Sequence, residues 1–93
     1  MPTFLTTHLS PGLSADEIAN NAPDVAESKY ATFRNLYVNM YTGFLVSIYD
    51  ADDQVALERE FERVGFPFEE IHEIQFAVDA AGLQAMIQGS AAL

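Results

Sequence analysis

The chain opens on a run of β-branched and aromatic residues, Thr3 to Leu9, that stops at Ser10-Pro11-Gly12, where proline fixes φ and glycine permits a positive one. This predicts a first strand. Ser14 followed by Glu17 has the form of a capping box and predicts a helix from about Ala15. Pro23 lacks an amide donor, so a kink or break is expected at Asn20 to Ala22, with a restart through Val25 to Tyr30. From Phe33 to Tyr49 two alternating runs flank Thr42-Gly43 and predict a β-hairpin. Leu36, Val38 and Met40 share one phase, with Phe44, Val46 and Ile48 expected to join them across the turn. The other phase carries Tyr37, Asn39, Tyr41, Leu45, Ser47 and Tyr49, too aromatic for a solvated face and too polar for a core.

Asp52 or Asp53 can cap a second helix, with Val55, Leu57, Phe61 and Val64 near one face and Glu58, Arg59, Glu62 and Arg63 outside. Gly65 ends it, with Pro67 beyond. Ile71 to Val78 alternates again as a fourth strand, His72, Ile74 and Phe76 opposing Ile71, Glu73 and Gln75. An alanine-rich tail from Asp79 to Gln88 predicts a short helix carrying Leu83, Met86 and Ile87.

The order β-α-β-β-α-β suits an α+β domain of the ferredoxin-like kind over residues 1–78, followed by a tail over 79–93. Right-handed crossovers place strands 1 and 3 side by side in the centre, expected to be parallel, with strand 4 beside strand 1 and strand 2 beyond strand 3. One sheet face then lacks helices. Tyr37, Tyr41, Leu45, Tyr49 and Ile71 would leave a large apolar patch there, which monomers rarely tolerate. A homodimer packed sheet to sheet is therefore expected, as in dimeric α+β barrels, with the tail packing on the dimer or exchanging across it.

Composition narrows the partners. Hydrophobic residues make up 49% of the 93 and charged ones 19%, which fits a globular domain in spite of a formal charge of −10. With 4 basic against 14 acidic side chains, the chain would repel phosphate backbones and anionic membranes, so neither nucleic acid nor a membrane surface is an expected partner. No apolar run approaches the ~20 residues of a bilayer span, and Met-Pro-Thr-Phe does not show the basic-then-apolar pattern expected of a signal sequence. A soluble, cytoplasmic protein is expected. Without cysteine there are no thiolate metal sites and no thiol catalysis.

Pro11-Gly12-Leu13-Ser14, Ser47-Ile48-Tyr49-Asp50-Ala51-Asp52 and Arg63-Val64-Gly65-Phe66-Pro67-Phe68-Glu69-Glu70-Ile71 resemble segments of the small nickel-binding ferredoxin-like proteins, long known as a domain of unknown function. The likeness covers about residues 1–78. It implies the same fold and raises nickel as a ligand. Where this chain has Thr7, Asn35, Ser47 and Glu60, the family tends to place a carboxylate, a histidine, a cysteine and a histidine; only Glu60 is a good donor here.

Imidazole suits nickel, zinc and copper, so His8, His72 and Glu73, with Glu60, are the candidate ligands for Ni2+ or another divalent metal. If residues 8 and 72 pair across the first and fourth strands, both imidazoles point to one face; a slip of one residue sets His8 beside Glu73 instead. Tyr37, Asn39, Tyr41, Ser47 and Tyr49 are the candidate lining of a small-molecule cavity between paired sheets, or else a polar dimer interface. The expected function is a small homodimeric binding protein for a metal ion, with a small-molecule-binding protein or a cofactor-independent monooxygenase-like enzyme as the alternative. No nucleophile-elbow, Walker-type, dinucleotide or zinc-helix motif is present.

Overall fold

Residues Thr3–Leu9 form β1, and every second side chain of it, Phe4, Thr6 and His8, is buried. The computed structural model describes residues 1–91; after β1 come α1 (Ala15–Glu27), β2 (Thr32–Val38), β3 (Phe44–Asp50), α2 (Gln54–Val64), β4 (Glu70–Ile74) and α3 (Ala80–Ala91). The four strands make one antiparallel sheet in the order β2-β3-β1-β4, the ferredoxin-like arrangement that the element order implies. One expectation is corrected. β1 and β3 are neighbours but antiparallel. The α1 crossover makes β1 and β2 run the same way and the hairpin then reverses the chain, so β3, lying between them, opposes both.

Pairing of β1 with β3 sets Phe4 beside Tyr49, Thr6 beside Ser47 and His8 beside Leu45, all on the helix side of the sheet. Phe4, Tyr49, Leu57 and Phe61 form the core with Ala31 and Ala51, and Phe33, Phe66, Phe68 and Ile71 pack around them. The hairpin phases differ from expectation. Asn39 and Phe44 close the turn around Met40 to Gly43, so Val38 meets Leu45 and Tyr37 meets Val46. An even number of loop residues pairs even positions with odd ones, which sends Leu45, Ser47 and Tyr49 under the helices and Phe44, Val46 and Ile48 to the bare face with Tyr37. The Asn39 side chain holds this turn by accepting from the amides of Tyr41 and Thr42.

Both main helices start at side-chain caps, Ser14 accepting from the Glu17 amide and Asp53 from the Ala56 amide. Pro23 does not break α1. The carbonyl it leaves unbonded, that of Ala19, lies on an exposed part of the helix where water can serve it. In α2 the buried side chains are Leu57, Glu60 and Phe61, whereas Val55, expected on that face, sits exposed in the first turn. β4 ends at Ile74 rather than Val78; Ile74 pairs with Thr3, the first residue of β1, and the ladder goes no further. The predicted C-terminal helix is present as α3, capped by Asp79, whose carboxylate accepts from the Gly82 amide. Residues 92–93 of the predicted tail lie outside the described residues.

Gly43 and Gly12 both have positive φ, +79° and +83° respectively, but their surroundings differ. A Cβ on Gly43 would run into the Ser10 carbonyl, whereas one on Gly12 would meet open space. Gly43→Ala should therefore cost about 3 kcal/mol of unfolding free energy, and Gly12→Ala only about 1 kcal/mol, as read from urea melts.

Candidate functional site

His8 lies near the C-terminal end of β1, on the helix side of the sheet against α2 and the loop that follows it, with only 1% of its surface exposed. Its Nδ1 is 2.8 Å from the Pro67 carbonyl, which can only accept, so Nδ1 carries the proton. The Nε2 atom then accepts from the Ser47 hydroxyl, also at 2.8 Å. The ring stacks on Phe66 at 3.8 Å and meets Phe61 edge-on. Burial pulls the His8 pKa below its usual 6.5, and the Pro67 carbonyl only partly offsets this. The imidazole is neutral and fully engaged.

A second polar centre ties the two helices together. Glu60 is buried in α2, where it accepts from the Tyr30 amide at 2.9 Å and from the Arg63 guanidinium. Burial would raise its pKa, but the Arg63 bonds and the Tyr30 amide outweigh that and hold the carboxyl below its ordinary value. Arg63 also donates to the Asp24 carbonyl at 2.7 Å and reaches Glu27, so it grips the last turns of α1. The nearby Tyr49 phenol is pushed up to about 12 by burial and by the Glu60 charge. Its hydroxyl and that of Thr6 are buried without a hydrogen-bond partner.

Between α1 and the sheet lies a cavity of about 450 Å³. No residue of α1 is buried; its apolar stripe, Ile18, Ala22 and Val25, faces the cavity instead of closing on the strands. Phe33, Leu36 and Leu45 form the opposite wall, and Phe66 and Pro67 form the end behind which His8 sits. Ser10, Glu17 and Asn21 supply the polar part of the lining.

The residues singled out in the sequence do not meet. β1 and β4 pair with Leu5 opposite His72 and Phe4 opposite Glu73, a register that differs from both alternatives expected. His8 lies past Thr7 and Glu70, the last pair of that ladder, and has no partner in β4. His72 points from the bare face, exposed, with Nε2 at 2.9 Å from Glu70 Oε1, while His8 lies on the helix side. Glu73 is exposed on the edge strand, and Glu60 is occupied by Arg63. Of the positions raised by the resemblance, Thr7 and Asn35 fall on the bare side of the sheet, and Ser47 and Glu60 on the helix side. Among the described residues no group of three or more His, Asp or Glu side chains is gathered to hold a metal ion.

The expected tyrosine cavity is divided in the same way. Ser47 and Tyr49 are buried beneath the helices, whereas Tyr37 is 60% exposed, and Asn39 and Tyr41 lie at the hairpin turn. The only trace of the cavity beneath α1 in the sequence is the recurrence of Ile18, Ala22 and Val25 at helical spacing, with a small residue at the middle position. Among the described residues, no helix is long and apolar enough to cross a membrane.

No protein-family model matches the chain, and no curated protein does. Among solved structures, that of SCO4226 from Streptomyces coelicolor A3(2) superposes with a TM-score of 0.71 at 19% sequence identity, covering 82% of this chain and 99% of that one. The likeness is one of fold. It agrees with the ferredoxin-like topology and leaves roughly a fifth of this chain unmatched.

Because the fold buries His8 neutral, its folded-state pKa lies below its unfolded one. The unfolded chain therefore takes up the proton first as pH falls below 6.5; the stability His8 confers is complete above that value and is lost as pH drops toward the folded pKa. Urea melts at a series of pH values should show this decline in the native chain and not in His8→Gln. Ser47→Ala, which leaves Nε2 without its donor, should cost about 1 to 3 kcal/mol above pH 6.5.

Proposed function

We propose that the protein is a non-catalytic binding module, working as a homodimer, that holds a small, mostly apolar molecule between α1 and the sheet. The observation that carries this is the unfilled space beneath a helix with no buried residue. Protein interiors are otherwise close-packed, and 450 Å³ falls in the usual size range of small-molecule sites. Glu17 beside the cavity and the net charge of −10 disfavour an anion, so the ligand class is neutral or cationic. Asn21 and Ser10 can hydrogen-bond one polar group of such a molecule.

Catalysis has less support. Both His8 nitrogens are committed, the Tyr49 phenol holds its proton at neutral pH, and Tyr37 and Tyr41 face water rather than a shared pocket. Divalent-cation capture, nickel by resemblance, is favoured by one feature, the His72 and Glu70 pair on the bare face. Each copy presents a single imidazole there, so a site would need the same pair from a second copy.

The neutral probe N-phenyl-1-naphthylamine should bind with increased fluorescence and a micromolar Kd. Ala22→Phe, which fills the cavity from α1, should weaken it at least about tenfold, ~1.4 kcal/mol, while circular dichroism stays native. Equal affinity in the variant would remove the proposal. Calorimetric titration with nickel chloride, repeated on His72→Ala, tests the metal alternative: heat of binding in the native chain that the variant lacks would support it.

A further inference from the structure

The charged side chains of this protein are unevenly placed. All of them fall within residues 16–34 and 50–79, which leaves three uncharged runs, 1–15, 35–49 and 80–93. The first two contain β1, the second half of β2 and all of β3 but Asp50, so the middle of the bare sheet face, with Leu5, Leu9, Tyr37, Phe44, Val46 and Ile48, is mostly apolar and carries no charge. The third contains α3. No described side chain of that helix is buried, and Leu83, Met86 and Ile87 are each half exposed. Leu83, Met86 and Ile87 form one apolar stripe beside Gln84 and Gln88, and an uncharged helix with such a stripe is ordinarily covered along it.

The overall dimensions show how much is left uncovered. The molecule extends 51 × 31 × 22 Å with a radius of gyration of 15.9 Å, against roughly 12 Å for a compact chain of this length. Its surface is 6316 Å², about 900 Å² more than the ~5,400 Å² expected from its mass. An excess of that size matches the ~800 Å² that each partner contributes to a standard protein interface.

We infer that α3 is an exchanged arm, which lies across the bare sheet face of a second copy and receives that copy's arm in return. The occupant is a second copy because the arm and the middle of the face are both uncharged, and because most other parts of one acidic chain would meet the other across like charges. Asp79 fixes where the arm starts, since its carboxylate caps α3 after the short link from Ile74. This rests on the homodimer part of the function proposed above, and it names the surfaces that meet.

The absence of cysteine makes the test direct. Val46→Cys and Met86→Cys, mixed and oxidised, should give a disulfide-linked species of twice 10.3 kDa that neither variant gives alone. Removing the chain beyond Val78 should weaken dimerisation at least about tenfold by light scattering, with the circular dichroism of the sheet retained. The pair Ile48→Cys and Leu83→Cys repeats the cross-link should either of the first two variants misfold. Linkage of Val46→Cys to itself would mean that sheet meets sheet directly; closure of the doubly substituted chain within one molecule would mean that the arm covers its own face. Either result, or a native dimer with no mixed link, overturns the arm exchange, whereas a monomeric native chain overturns the homodimer itself.

Discussion

The pairing of β1 with β3 is the constraint on which the rest of the structure depends. It sets Phe4 against Tyr49, Thr6 against Ser47 and His8 against Leu45 on one side of the sheet. A slip of a single residue that left Leu45, Ser47 and Tyr49 under the helices would set Leu5, Thr7 and Leu9 beside them and send Phe4, Thr6 and His8 to the bare face. Polar groups on the buried side help fix the choice. His8 is tolerated there because Pro67 and Ser47 satisfy both of its nitrogens, and Ser47 is within reach only in this register. The same imidazole bonds the loop after α2, so strand, neighbouring strand and loop are located together.

The two helices are held by unequal means. Leu57 and Phe61 press α2 into the core, while α1 is fastened at its C-terminal end by Arg63 bonded to Asp24, Glu27 and the buried Glu60. Over the rest of its length α1 stands off the sheet, and the cavity is the consequence. A buried carboxylate such as Glu60 is costly alone, and here the guanidinium and the Tyr30 amide compensate it. That arrangement positions α1 without sealing it.

Much of this was legible in the sequence. The strand boundaries of β1, the Ser14 and Asp53 caps, the Gly65 stop and the Asp79 helix start are local signals, and local signals survive folding. Sheet order followed from element order. What could not be read was register. The hairpin phase turned on whether the loop after Asn39 held an even or odd number of residues, and the β1–β4 offset is set by where Thr3 and Ile74 end their strands. The candidate site depends on those two registers: the sequence allows His8 to meet either His72 or Glu73, whereas the fold brings it to neither, and alternation alone groups Ser47 and Tyr49 with Tyr37 across what proves to be the sheet. The cavity depends on how closely α1 approaches the strands, a tertiary distance that periodicity does not encode.

The separation of charge has a kinetic consequence. Two bodies each carrying −10 repel at long range in nearly every mutual orientation, and the repulsion is weakest where the neutral strands look outward. Encounters between copies are thus sorted by exclusion rather than attraction. Added salt, which slows association between oppositely charged proteins, shortens the reach of this barrier and would quicken the meeting of like molecules.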